Sequence, residues 1–103
     1  MNYRVELSPR AKDDIRDYVR YVLDESQDMA TATRLYDRIN RAINSLDKFP
    51  RRCSRAPEDE LTDYEVRMLI VGPYLVLFNV NDDDRLVKIV AARHGRQLPL
   101  TDL

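Results

Sequence analysis

The chain has 103 residues, 44% of them hydrophobic and 34% charged, proportions that exclude a disordered polymer and point to one soluble globular domain spanning 1–103. Its 17 Lys and Arg against 18 Asp and Glu give a net charge of −1, which excludes a global attraction to nucleic acid, so any RNA or DNA contact must rest on a local patch. A single cysteine, Cys53, excludes an intrachain disulfide or a thiolate metal cage. No apolar run approaches the roughly 18 residues of a membrane span, and no signal-like stretch follows Met1, so a cytoplasmic location is expected.

Residues 3–7, Tyr-Arg-Val-Glu-Leu, alternate apolar and polar as a short half-buried strand does. Ser8 and Pro9 then supply a helix cap and a first helical residue. Ala11, Ile15, Tyr18, Val19 and Val22 form one face of the helix that follows, which the pattern ends near Glu25-Ser26. Asp28 is the next cap, and Ala32, Leu35, Tyr36, Ile39, Ile43 and Leu46 form the stripe of a second helix. The short break between the helices predicts an antiparallel hairpin. Pro50 and Pro57 bracket a loop, basic and then acidic, that leads to three runs rich in β-branched and aromatic residues: Tyr64 to Val71, Tyr74 to Val80 and Leu86 to Arg93. Gly72-Pro73 and Asn81-Asp82-Asp83-Asp84 carry turn chemistry between them.

The resulting order, β-α-α-β-β-β, predicts an α+β fold in which the helical hairpin packs on one face of a mostly antiparallel four-stranded sheet. In the middle run, Tyr74, Val76, Phe78 and Val80 share one face, yet Leu75 and Leu77 on the other are also large and apolar. Two helices cover one face of a small sheet. The reverse face is therefore expected to stay apolar until a second chain docks, or until Leu98, Leu100 and Leu103 of the C-terminal tail fold back over it.

Taken in order, Tyr3-Arg4-Val5-Glu6-Leu7-Ser8-Pro9-Arg10-Ala11, Asp14-Ile15, Tyr18, the helix closing at Leu46 with Phe49-Pro50, Arg67, the Tyr74 to Val80 strand and Val90-Ala91-Ala92-Arg93-His94-Gly95-Arg96 resemble the RelE/ParE superfamily of small bacterial toxins. The resemblance implies the toxin of a type II toxin–antitoxin system, neutralised by a cognate antitoxin and able to form toxin–antitoxin hetero-oligomers or to self-associate. It also implies one of two activities. RelE-like members cut messenger RNA on the ribosome, whereas ParE-like members, among them plasmid stabilisation proteins, poison DNA gyrase without chemical change. A third expectation is a degenerate member that keeps the fold and harms nothing.

Metal-free RNA cleavage needs groups that move protons at the 2′-hydroxyl and the leaving oxygen, and cations that hold charge on phosphorus. Here the candidates are Arg67, Tyr74, His94 and Arg96, with Glu65 and Arg93 in support. His94 is the sole histidine, and a lone histidine at a strand end is more often structural. RNA-cutting members place an arginine after the aromatic residue of the middle strand, where Leu75 stands here, and ribosome-acting members are strongly basic, as binding among phosphates demands. The sequence therefore favours the ParE-like class with no catalytic residues. Its target surface is expected at Arg51, Arg52, Arg55, Arg93, His94, Arg96 and Leu98, and its antitoxin footing at Val19, Val22, Leu35, Leu75 and Leu77. No metal, nucleotide or organic cofactor site is expected, since Gly72 and Gly95 are the only glycines and no ligand set clusters.

Overall fold

Ser8 closes the first strand, β1 (Arg4–Leu7), and opens the first helix, α1 (Pro9–Ser26), in a computed structural model that describes residues 2–103. Its hydroxyl accepts from the Ala11 N–H (3.0 Å) and donates to the Val90 carbonyl (3.0 Å), while its own N–H donates to the Ile89 carbonyl (2.9 Å). The cap thus fixes the start of α1 to the sheet as well as satisfying a free helix donor. α1 stops at Gln27, which turns left-handed (φ 51°) and gives its N–H to the Leu23 carbonyl (2.7 Å). Asp28 then caps α2 (Met29–Asn44) by accepting from the Ala30 N–H (3.1 Å) and the Thr31 hydroxyl (2.7 Å).

After short 3-10 turns come β2 (Arg67–Val71), β3 (Tyr74–Asn81) and β4 (Leu86–His94). The sheet runs β1-β4-β3-β2, with β1 parallel to β4 and the other pairs antiparallel. This is the expected α+β arrangement. The strand β2 is shorter than its sequence suggests, because residues 64–66 are claimed by the preceding loop. Val66 donates to the Asp59 carboxylate (2.8 Å) and accepts from the Ala56 N–H (2.9 Å), and the Asn79 amide donates to the Glu65 carbonyl (2.8 Å).

The helical face of the sheet is the larger core. Ile15, Ile39, Ile43 and Leu46 from the helical side meet Val76, Phe78, Val87 and Ile89 from the strands, and all are buried. The reverse face corrects the expectation that it waits for a companion. Leu77, Ala91, Ala56 and Val66 form a second buried cluster, with Tyr64, Met68, Leu75, Val90, Leu100 and Leu103 packed against it. Its cover comes from the loop before β2 and from the tail of the same chain. Leu98 does not join them and stays 86% exposed. A register shift between Leu77 and Phe78 interrupts the pairing of β3 with β4, and Val90 and Ala91, adjacent in sequence, both pack in the reverse cluster.

Because this second core is closed by the chain itself, Leu77→Ala should cost about 2–5 kcal/mol, as for a fully buried leucine. Urea unfolding of the isolated protein measures it. A loss below about 1 kcal/mol, the range of a surface change, would mean that the reverse face is not packed in solution.

Candidate functional site

The turn from Gly72 to Tyr74 and the end of β4 meet under α1, and there a cleft of about 510 Å³ opens. Gly72 adopts φ +59°, a conformation that favours glycine, and the Gly95 N–H donates to the Pro73 carbonyl (2.8 Å), which holds the two chain segments together. Tyr74 lies at the floor. Its hydroxyl donates to the Asp14 carbonyl (2.9 Å), and its ring stacks on Tyr18 with centroids 4.0 Å apart. The Asp14 carboxylate in turn accepts from the Ala92 N–H (3.0 Å). Burial, and then the neighbouring Asp14, Tyr18 and Asp17, push the Tyr74 phenol well above the ordinary tyrosine range. It stays protonated at neutral pH, with that proton already committed.

His94 stands at the rim, edge-on to Tyr18, and its Nδ1 accepts from the Arg96 N–H (3.0 Å). A neutral imidazole held this way carries its proton on Nε2. The other walls include Asp14 and Asp17. Their carboxylates pair with Arg10 (3.6 Å) and Arg16 (3.4 Å), and Arg93 lines the same cleft.

The candidate arginines divide sharply. Arg93 is 4% exposed, and its guanidinium grips the fully buried Glu58 carboxylate through Nε and Nη2, while Nη1 donates to the His94 and Gln97 carbonyls. Arg67 is equally spent, on Glu65 (2.7 Å) and on the Arg51 and Cys53 carbonyls (3.2 and 2.6 Å). Arg51 joins Glu65 to Asp82, Arg55 pairs with Glu65 and Asp59, and Arg52 caps the carbonyls of Ser45, Lys48 and Phe49. Arg96 and Leu98 are exposed beside His94. Of the expected target residues, then, His94, Arg96 and Leu98 form one accessible group, Arg51, Arg52 and Arg55 form another built into the loop, and Arg93 lies beneath the first.

Of the expected antitoxin residues, Val19, Val22 and Leu35 are half-buried on the helical hairpin, Leu75 packs in the reverse cluster and Leu77 is inaccessible. Val19 lies in an apolar groove of about 560 Å³ between α1 and α2, with Leu7, Ile15 and Tyr36. Tyr36 read in sequence as part of the core stripe, but it is 48% exposed. Its place at the edge of that stripe was the available clue. Asp14 and Glu58 carried none, since each looks like an ordinary solvated acid. Among the described residues no group of three or more His, Cys, Asp or Glu is placed to hold a metal ion, and no helix is long and apolar enough to cross a membrane.

The architecture is thus a helical hairpin on a mixed four-stranded sheet, with an apolar groove on the hairpin and a rim of exposed residues at the end of β4. Residues 5–99 match the family described as the ParE toxin of the type II toxin–antitoxin system parDE, and the chain belongs to that family. Solved structures share the fold. The chromosomal ParDE system of P. aeruginosa aligns with a TM-score of 0.69 at 13% identity, over 89% of this chain and 95% of that one. The RelBE2 toxin–antitoxin complex of Mycobacterium tuberculosis aligns at 0.61 and 19% identity, over 91% and 92%. The archaeal RelE–RelB complex of Pyrococcus horikoshii OT3 aligns at 0.58 and 19%, over 95% and 100%. No curated protein matches the sequence significantly.

Burial opposes ionisation of Glu58, but the Arg93 guanidinium and the backbone N–H groups of Leu100 and Glu58 outweigh it and hold the carboxyl below the usual range. A folded-state pKa below the unfolded value means stability that is present above about pH 4.5 and lost as pH falls through the folded value. Glu58→Gln should therefore destabilise the protein at pH 7 and flatten the acid limb of its stability curve, and Glu58→Ala should cost about 3–5 kcal/mol by stranding Arg93. Urea midpoints between pH 7 and pH 3 check both. Parallel curves for the native chain and the Glu58→Gln variant would contradict the pairing.

Proposed function

We propose that this toxin acts by binding rather than by cleavage: it poisons DNA gyrase in the cytoplasm and is neutralised by a cognate antitoxin seated on the helical hairpin. One observation carries the reading. The cations that RNA cleavage would need at a phosphorane are engaged elsewhere, Arg67 with Glu65 and two carbonyls and Arg93 with Glu58. What is left for a ribonuclease is His94, Arg96 and a phenol whose proton is already donated. Rate enhancement by electrostatic stabilisation depends on donors aimed at developing charge, and this constellation has lost most of them.

The same fold favours a protein contact. Arg96 and the exposed Leu98 stand out from the end of β4 on a short segment fixed from below by Arg93, so an apolar anchor and a cation are presented together on a rigid base. Membership of the ParE toxin family supports the gyrase reading over the ribonuclease one. The groove around Val19 and Tyr36 gives the antitoxin an apolar seat of the kind an amphipathic segment fills.

Purified chain added to a gyrase supercoiling reaction should inhibit it in proportion to dose, and Arg96→Ala combined with Leu98→Ala should weaken inhibition about tenfold or more, a loss of about 1.4 kcal/mol or more, without changing the unfolding midpoint. An unaffected reaction at saturating protein would overturn the proposal.

A further inference from the structure

Two strained residues meet at one place on the surface. Among the described residues, three other than glycine adopt a left-handed backbone: Gln27 (φ 51°), which ends α1, Phe49 (φ 49°) and Arg85 (φ 52°). Glycine takes that conformation at lower cost, and such outliers collect at binding sites. Phe49 and Arg85, far apart in the chain, line the same pocket, and neither fills the core. The Phe49 ring is 80% exposed, and the Arg85 guanidinium lies over the Tyr3 ring, 5.1 Å from its centroid.

This pocket, of about 530 Å³, is lined by Tyr3, Phe49, Pro50, Arg51, Arg52 and Arg85. Its walls are held from behind. The Tyr3 hydroxyl and Arg51 Nη2 both donate to the Asp82 carboxylate (2.6 and 2.8 Å), and the backbone N–H and Nη1 of Arg52 both donate to the Phe49 carbonyl (3.1 Å each). The ring is therefore presented on a fixed turn. Among the described residues no carboxylate belongs to the lining. The charge of Arg51 is met by Glu65 and Asp82. Arg52, by contrast, serves only neutral acceptors, the Ser45, Lys48 and Phe49 carbonyls and the Ser45 hydroxyl, and its Nε–H is in no bond among the described residues. Lys48, exposed and in no ion pair among the described residues, stands beside Phe49 in the chain. A local positive field results on a chain whose net charge is −1.

Flat apolar faces beside a cation select a ligand that is itself flat and anionic. We propose that this pocket binds a nucleotide, free or within a single strand, its base stacked on Phe49 and its phosphate drawn to Arg52. A pocket of this size suits one such unit. A bare anion would leave the rings unused, an acidic polypeptide brings its carboxylates on flexible stems, and a duplex keeps its bases stacked within itself. The site lies at the other end of β4 from the cleft beneath α1, because Arg85 immediately precedes that strand and His94 ends it. It therefore stands whichever partner the His94 rim contacts.

The test titrates the full chain into labelled dAMP and labelled single-stranded oligo(dA), read by fluorescence anisotropy. A strand that binds better than dAMP marks a site for nucleic acid, and a strand that binds no better marks a site for the free nucleotide. Saturable binding of neither overturns the proposal. Phe49→Gly removes the ring and relieves the backbone, so it should keep the native urea midpoint while binding about tenfold more weakly, as loss of a stacking partner does. Phe49→Trp, which enlarges the stacking face, should retain binding. Undiminished affinity in the Phe49→Gly variant overturns the proposal. So does displacement of the probe by inorganic phosphate or polyglutamate as readily as by unlabelled dAMP, which would give the pocket to a bare anion or to an acidic polypeptide.

Discussion

Arg93 reaches from the end of β4 to a glutamate 35 residues earlier in the chain, and the contact between them holds the far side of the molecule closed. Both groups are withdrawn from water, where an ion pair repays its desolvation only if the remaining donors and acceptors are also satisfied. Here they are: the third guanidinium nitrogen serves two backbone carbonyls, and the carboxylate also receives the Leu100 N–H at 2.9 Å. Loop, strand and tail are thereby tied at one point. Leu100 and Leu103 then pack over the reverse face of the sheet, and the intervening turn is left projecting with His94, Arg96 and Leu98 on its outside.

That arrangement separates the charges of the protein by role. Arg51, Arg55, Arg67 and Arg93 hold the loop in place through carboxylates, so their positive charge is neutralised where it stands. On the hairpin, Arg10 pairs with Asp14 and Asp102 and Arg16 with Asp13 and Asp17, whereas Arg34, Arg38 and Arg41 are in no ion pair among the described residues. A fold that spends its inner cations on architecture has few left to stabilise a transition state, whereas one that keeps outer cations and apolar grooves uncovered is equipped to recognise other polypeptides. The functional reading follows from this division more than from any single side chain.

Much of the framework was legible because it is local. Ser8-Pro9 and Asp28 announced the two helices through capping, the stripes around Ile15 and Ile39 fixed which faces turn inward, and alternation in Tyr74 to Val80 fixed the middle strand. The helical hairpin on a mostly antiparallel sheet followed. What escaped the sequence is non-local. Glu58 and Arg93 each look like solvated charges until the fold brings them together, and Arg67 looked free for phosphate because its carbonyl partners, Arg51 and Cys53, lie in an irregular loop. The same loop takes residues 64–66 from the predicted strand and supplies Ala56 and Val66 to cover Leu77. Alternation correctly marked Leu75 and Leu77 as a second apolar face. It could not say that the chain would cover that face itself.

The claim that this toxin binds without cutting is tested most directly on its alternative. Purified chain is incubated with translating ribosomes and a defined message, and the ends of the RNA are mapped. The account predicts an unchanged message at any dose. New ends that appear with native protein and vanish with a folded His94→Ala variant would contradict it.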